Sequence, residues 1–131
     1  MAMDNHFLKA LSRDELGTLE PAIDRIRVTQ NQMLAEARKP VRFAYFPANC
    51  IFSVVAVMRD GRSVESRTIG CESGYGLLHA LGSRTSFEAC TCQVGGDIYQ
   101  IPTAALAEAA QRHPGLVKKI VQHAQATILQ A

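Results

Sequence analysis

The residues best suited to chemistry lie between Gly70 and Thr85, a stretch that opens with three glycines in seven residues. Glycine lets the backbone adopt positive φ and approach a ligand with no Cβ in between. The apolar run 77–81 follows and suits a short helical turn, whose first N–H groups can bind an anion. Arg84 and Thr85 close the stretch, and a guanidinium beside a hydroxyl clamps a phosphate well. This spacing predicts a phosphate-binding loop.

The cysteines and histidines form no recognisable metal site. The cysteines are Cys50, Cys71, Cys90 and Cys92. Zinc and iron–sulfur sites favour C-x-x-C pairs with further ligands nearby, and the four histidines complete no such cluster. We therefore expect no metal and interpret the cysteines as small buried hydrophobic residues, with a redox role as the alternative.

The sequence also lacks a recognisable catalytic constellation. It has no G-x-S-x-G motif, no Walker motif and no acid pair at a familiar spacing. Cys92 with His79 is a remote alternative, which would make the chain a small metal or thiol enzyme on a β-barrel. We expect a protein that is not an enzyme.

Composition narrows the class of protein further. A chain of 131 residues that is 47% hydrophobic and 20% charged is typical of one soluble domain with a real core. A net charge of +2, with scattered basic residues, argues against a nucleic-acid surface. The sequence has neither a secretory signal at its N-terminus nor an apolar run that could span a membrane. We expect a cytoplasmic protein with reduced cysteines.

The elements that must position the loop follow from periodicity. Segment 4–22 predicts two short helices, the second opened by a capping box from Ser12 to Glu15 and stopped by Pro21. Segment 23–101 predicts strands. Segment 102–131 predicts two helices, with Pro102 in the first turn of one and His113-Pro114 separating them. The last helix carries an apolar stripe of Leu116, Ile120, Ala124 and Ile128.

Alternating apolar residues and turn residues predict where the individual strands begin and end. Alternation at Val41, Phe43 and Tyr45 predicts a strand buried on one face, and the β-branched run 51–58 predicts one buried on both. Asp60-Gly61 predicts a hairpin to strand 62–69. Strand 86–94 should turn at Gly95-Gly96 and pair with strand 97–101. The predicted fold class is mainly β: an antiparallel β-roll or jelly roll flanked by short N-terminal helices and by C-terminal helices, in a single domain, 1–131.

Several segments together resemble the Crp/Fnr family of bacterial transcription regulators. They are the motif at 7–11, Tyr45-Phe46-Pro47, the stretch 53–65 and the glycine loop that ends in Arg84-Thr85. The resemblance covers the family's N-terminal cyclic-nucleotide-binding β-roll and the start of its dimerisation helix. It implies a cyclic-nucleotide-binding fold, with cyclic AMP or cyclic GMP as the ligand.

The resemblance also assigns roles within the loop. In the family, a Gly-Glu pair leads into a short helix and an Arg followed by a small hydroxyl residue closes the cassette. The phosphate lies on the helix N-terminus and the arginine, and the glutamate binds the ribose hydroxyl. The matching positions of this chain, with Glu72 as a nearby acid, are Gly74, Tyr75, Gly76, Leu77, Arg84 and Thr85. Tyr75 stands where the glutamate is expected, and its ring would either stack on a base or pack at the edge of the core.

The implied function is a ligand sensor that acts by allostery. The chain would form a homodimer through its C-terminal helix and would touch no membrane. It would contact DNA only through a helix-turn-helix domain, which this sequence lacks. A fragment of a longer regulator and a free-standing sensor both remain open, and the uncapped last helix favours the fragment. The main alternative is a degenerate fold that binds no nucleotide and acts as a dimerisation or protein-interaction module.

Overall fold

The computed structural model describes residues 4–82 and 86–130, with side chains as far as residue 125. The helices are α1 (His6–Lys9), α2 (Arg13–Leu19), α3 (Thr103–Arg112) and α4 (Pro114–Gln130), and 3₁₀ turns cover Glu20–Ala22 and Leu78–Ala80. The strands are β1 (Asp24–Val28), β2 (Met33–Ala35), β3 (Phe43–Pro47), β4 (Ile51–Val57), β5 (Ser63–Ile69), β6 (Glu88–Val94) and β7 (Gly96–Pro102). No helix among these residues is long and apolar enough to cross a membrane.

The strands form two antiparallel sheets, and the helices cover one of them. The first sheet has the order β1-β7-β3 and the second β2-β6-β4-β5. One core cluster lies between the helices and the first sheet, where Leu8, Phe46 and Ile120 are fully buried. A second cluster fills the space between the sheets and contains Phe52, Val54 and Ile98. The molecule is therefore a β-roll with a helical layer on one side, as the sequence predicted.

The N-terminal helices and the first hairpin follow the prediction. Ser12 Oγ accepts a hydrogen bond from Glu15 N (3.1 Å), and Glu15 Oε1 accepts one from Ser12 N (2.9 Å), which completes the capping box. Gly61 adopts φ +89° in the turn between β4 and β5, a conformation that favours glycine. Pro102 lies one position earlier than predicted, because it ends β7 and caps α3.

Two predictions of strand burial are wrong. β3 is buried on both faces, because Phe46 faces the helices while Tyr45 faces the second sheet. In β4 only one face is fully buried, by Phe52 and Val54, and Ile51 is 39% exposed. The sheet that contains β3 lies between the helices and the second sheet, so its strands need apolar residues on both faces, whereas a strand of the outer sheet needs them on one.

The predicted hairpin at Gly95-Gly96 is also wrong. β6 pairs with β2 and β4, whereas β7 pairs with β1 and β3, so the chain crosses from one sheet to the other at these glycines. A Cβ on Gly95 would lie 3.1 Å from Val28 O, which is tight enough to favour glycine at the crossing. β2 was not predicted from the sequence.

The cysteine interpretation holds for three of the four residues. Cys50, Cys90 and Cys92 are buried in the inter-sheet cluster, and burial raises the pKa of their thiols, which keeps them protonated. Cys71 is half-buried, with its Sγ 4.0 Å from His6 Nε2.

Candidate functional site

A cavity of about 250 Å³ opens where the glycine loop meets the second sheet and the last helix. Its walls are formed by Ser66 and Arg67 of β5, Glu88 of β6, His123 and Ala124 of α4, and the loop residues Ser73, Gly74, Gly76, Leu77, Leu78 and His79. The fold therefore brings part of the predicted cassette together with residues that are distant in sequence.

The loop glycines allow the loop to pack closely on β3. Gly76 has φ +94°, and a Cβ there would lie 3.1 Å from Phe43 O. A Cβ on Gly74 would lie 2.6 Å from the Phe46 ring. Backbone hydrogen bonds of 2.8 and 2.9 Å between Tyr75 and Tyr45 fix this approach. Glycine is needed at these positions for the contact with the sheet, which differs from the close approach to a ligand that the sequence suggested.

The side chain of Tyr75 lies in the core and not in the cavity. Its relative exposure is 0%, and it belongs to the cluster between the two sheets. Burial raises the pKa of its phenol, and its hydroxyl has no hydrogen-bond partner among the described residues. A glutamate at position 75 would point into the same core. The Tyr75 ring therefore packs against the core, as one of the two expectations had it, and is more deeply buried than an edge position, because neighbouring residues of an extended segment face opposite sides. A role of position 75 in binding a ribose stays a prediction.

The other predicted site residues lie apart from the cavity or outside the described chain. Glu72 does not line the cavity. Its Oε1 accepts a hydrogen bond from Gly70 N (3.2 Å), and it lines a separate shallow groove between α1 and α4. Arg84 and Thr85 fall outside the described residues, so their roles stay predictions.

An ion pair that the sequence analysis did not identify lies in the cavity wall. Arg67 Nη1 donates to Glu88 Oε2 at 2.7 Å. The two residues lie on strands either side of β4 and meet over its inner face, where Arg67 is in register with Val54. The sequence signal for Arg67 is that it shares the period-two face of β5 with the buried Ile69.

Two histidines also face the cavity. His79 is half-buried, and its Nδ1 has no hydrogen-bond partner among the described residues. His123 Nε2 lies 2.7 Å from Ser73 Oγ, which links α4 directly to the loop. Burial lowers the pKa of both imidazoles and favours their neutral forms near pH 7. With Arg67 paired to Glu88, the described part of the wall has no net charge.

Asn5 holds the loop in place from the opposite side. Its Nδ2 donates to Pro47 O (2.9 Å) and Ser73 O (2.8 Å), and its Oδ1 accepts from the N–H groups of Phe7 and Leu8. All of its side-chain donors and acceptors are therefore used in a fully buried position. One amide connects the start of α1, the end of β3 and the glycine loop.

The cavity suits the binding of a small ligand. Within residues 4–82 and 86–130, no three His, Cys, Asp or Glu side chains come close enough together to hold a metal ion. Cys92 lies in the inter-sheet core and is not among the residues that line the cavity with His79. A small, mostly apolar cavity with a few polar side chains is typical of a ligand site.

Comparisons with known proteins identify the fold. By sequence, no family model and no curated protein matches the chain. By structure, it is similar to the sensor domain of the transcriptional regulator DNR from Pseudomonas aeruginosa, with 11% identity and a TM-score of 0.75 over 96% of this chain and 85% of that one. It is also similar to the catabolite activator protein of Thermus thermophilus, with 12% identity and a TM-score of 0.73 over 96% of this chain and 59% of that one.

A third similar structure is a mutant regulatory subunit of a cAMP-independent protein kinase A from Trypanosoma brucei, bound to cAMP in its A site. The identity is 13% and the TM-score 0.73, over 93% of this chain and 47% of that one. The chain thus spans about half the length of this subunit and 59% of the Thermus protein. The fold is that of the cyclic-nucleotide-binding β-roll of Crp/Fnr-type regulators, which confirms the predicted fold class.

Proposed function

We propose that this chain is a non-enzymatic sensor domain that binds a cyclic nucleotide in the cavity between the glycine loop and α4. The observation that carries the proposal is the composition of the cavity wall, in which the loop and α4 face each other across the ligand space. His123 of α4 and Ser73 of the loop are hydrogen-bonded at 2.7 Å, so a ligand entering there must contact both elements or separate them.

This geometry would allow ligand binding to move α4. α4 is anchored at its start, where Leu116 and Ile120 are fully buried, while Val121 on its other side is 39% exposed. If α4 can adopt two placements relative to the loop, a ligand that binds more tightly to one of them shifts the helix toward that placement. The exposed side of α4 would pair with a second copy of the chain, and the shift would reposition any DNA-binding domain attached beyond it.

The phosphate of the ligand would lie near Arg84. The described wall is electrically balanced, because Glu88 neutralises Arg67 and both histidines favour their neutral forms. An anionic ligand therefore needs a further cation, and the sequence offers Arg84 at the exit of the loop. Thr85 would add a hydroxyl donor.

Calorimetric titration tests the proposal. Cyclic AMP and cyclic GMP are titrated into the wild-type protein, into Arg84→Ala and into Arg59→Ala, whose arginine is exposed in the β4–β5 connection and serves as the control. Binding that is weakened at least about tenfold in Arg84→Ala and unchanged in Arg59→Ala supports the site. Binding that is equal in all three proteins removes Arg84 from it.

A module without a nucleotide is the second candidate, and Glu88 favours it. Glu88 cancels the attraction of Arg67 for a phosphate, and the described part of the loop supplies no glutamate toward the cavity for a ribose. Absence of heat with both nucleotides at millimolar concentration would favour this candidate over the sensor. Light scattering after size exclusion then tests the remaining role, since a strictly monomeric protein would exclude dimerisation through α4.

A further inference from the structure

The side chain of His123 separates the cavity from the groove between α1 and α4. Among the described residues, it is the one that lines both spaces. Its Nε2 lies 2.7 Å from Ser73 Oγ, and its ring packs on the Phe7 ring, with centroids 5.4 Å apart and an interplanar angle of 66°. One imidazole therefore joins α4 to the glycine loop and to α1 at the same point.

The position of the second half of α4 depends on this contact. The start of the helix is fixed, because Leu116 and Ile120 are fully buried and Lys119 Nζ lies 2.6 Å from Glu15 Oε1. Beyond Ile120, none of the described side chains, which end at residue 125, is fully buried. That part of α4 is therefore held against the protein through the contacts of His123 with the loop and α1.

A positive charge on His123 is costly in this place. The ring is half-buried, and burial lowers the pKa of His123 from its ordinary value of 6.5, although the carboxylate of Glu72 opposes this in part. The bond to Ser73 itself survives protonation, because a hydroxyl can accept a hydrogen bond as well as donate one. The cost is therefore that of burying a charge, and the ring avoids it by moving into water.

The other charged and titratable groups around His123 do not remove this cost. They line the same two spaces and come from α4, from α1, from the 3₁₀ turn and from the second sheet: Lys119, His6, His79, Arg67 and Glu88. Glu88 is already neutralised by Arg67 at 2.7 Å. The lysine and the two histidines are positive or neutral, so none of them stabilises an imidazolium.

We propose that His123 is an acid-sensitive latch of the cavity. While the imidazole is neutral, α4 stays closed on the loop and on α1. When the imidazole takes up a proton, the ring moves into water, the part of α4 beyond Ile120 leaves the loop, and the cavity opens into the groove. The latch belongs to the cavity wall and acts whether or not a nucleotide is bound.

One proton sets the size and the direction of the effect. A base that is harder to protonate in the closed arrangement favours that arrangement fully above about pH 6.5, and this contribution is lost as the pH falls below that value. The equilibrium constant for opening rises by at most about tenfold per pH unit in that range, because a single proton is bound.

Nuclear magnetic resonance of the whole chain with a soluble paramagnetic agent tests the latch. The agent speeds the relaxation of protons that it can reach, and Phe7 and Leu77 are only 4% and 5% exposed. The enhancement at both side chains should rise at least about threefold between about pH 8 and pH 5. It should follow the titration of the His123 ring protons, with a midpoint below 6.5.

Two variants assign the response to one histidine. His123→Gln keeps a hydrogen-bonding group at about the reach of Nε2 but cannot be protonated, so its enhancement at Phe7 and Leu77 should not change with pH. His79→Gln is the matched control, because His79 also lines the cavity and burial also lowers its pKa. It should keep the wild-type pH response.

Each unfavourable outcome is distinct. A His123 midpoint at or above 6.5, or an enhancement in the wild type that does not change with pH, overturns the latch. A response that survives in His123→Gln and disappears in His79→Gln assigns the switch to His79 and overturns it too. Dispersion of the amide signals checks that both variants are folded, and the wild-type titration stands independently of either variant.

Discussion

Replacing Asn5 with alanine should destabilise the protein by about 3 kcal/mol, well beyond the cost of losing a helix cap. The amide of Asn5 is fully buried and makes four hydrogen bonds. Two of these satisfy the first N–H groups of α1, and the other two join the carbonyls of Pro47 and Ser73. Alanine removes all four bonds and is too short to replace any of them.

The magnitude follows from treating the two helix-capping bonds of Asn5 separately from its two bonds to the carbonyls. Loss of an N-cap side chain typically costs about 1 kcal/mol. Leaving buried carbonyls without a donor costs about 1–3 kcal/mol, and water that enters the gap recovers part of this cost. Ser12→Ala is the matched control, because Ser12 caps α2 but, among the described residues, its side chain has no hydrogen bond to the sheets or the loop.

Urea unfolding followed by circular dichroism measures both variants against the wild type. We expect Ser12→Ala to lower the free energy of unfolding by about 1 kcal/mol and Asn5→Ala by about three times as much. Equal losses in the two variants would refute the reasoning, because they would mean that the bonds to Pro47 and Ser73 contribute nothing to stability.

Three further predictions concern stability. Gly76→Ala should destabilise the protein by about 2 kcal/mol or more, because residue 76 has a positive φ and lies against β3. Gly17→Ala in α2 should instead stabilise it by about 0.5–1 kcal/mol. The melting temperatures should therefore fall for the first variant and rise for the second. Tyr75→Phe should leave the stability unchanged or raise it, because the Tyr75 hydroxyl has no hydrogen-bond partner among the described residues. Tyr99→Phe should cost about 1 kcal/mol, because the Tyr99 hydroxyl accepts a hydrogen bond from an arginine. A loss of stability in Tyr75→Phe as large as that in Tyr99→Phe would contradict this reasoning. Burial alone would raise the pKa of Glu15, but hydrogen bonds from the α4 lysine and from the capping box lower it on balance. The contribution of Glu15 to stability is therefore present above about pH 4.5 and is lost as the pH falls below that value. Glu15→Gln should show a shallower acid-induced loss of stability than the wild type when urea midpoints are measured between about pH 6 and 3.

Local signals in the sequence predicted the elements whose structure is local. The capping box at Ser12 and Glu15, and the Asp60-Gly61 turn, specify hydrogen bonds between residues close in sequence. The apolar stripe of α4 likewise predicts which side of the helix is buried at Leu116 and Ile120. In these places one short segment determines its own geometry.

The errors arise where the outcome depends on distant partners. Gly95-Gly96 signals a change of direction, but only the other strands determine that β7 joins a different sheet from β6. β2 has three residues, too few for a periodic pattern, and it forms because β6 offers an edge. The core position of Tyr75 could not be predicted either, since a pattern of glycines does not specify which neighbours face the core.

The candidate site was predicted only in part for the same reason. The loop residues Gly74, Gly76 and Leu77 do line the cavity. Arg67 and Glu88, however, meet only because β5 and β6 both flank β4, a relation that no local pattern contains. Polar residues that share a strand face with buried ones are the best available signal for such partners.

The strand order has a consequence for the order in which the chain folds. β7, in the middle of its sheet, is the last strand in the sequence, and its partners β1 and β3 begin at Asp24 and Phe43. Among the described strands, only β4 and β5 pair as consecutive neighbours. On a ribosome, the first sheet therefore cannot close until residue 102 has emerged, and β1 and β3 wait with unpaired edges that are prone to aggregation. Folding should be slow and cooperative, because most of the pairing is long-range and arrives with the same short stretch of chain.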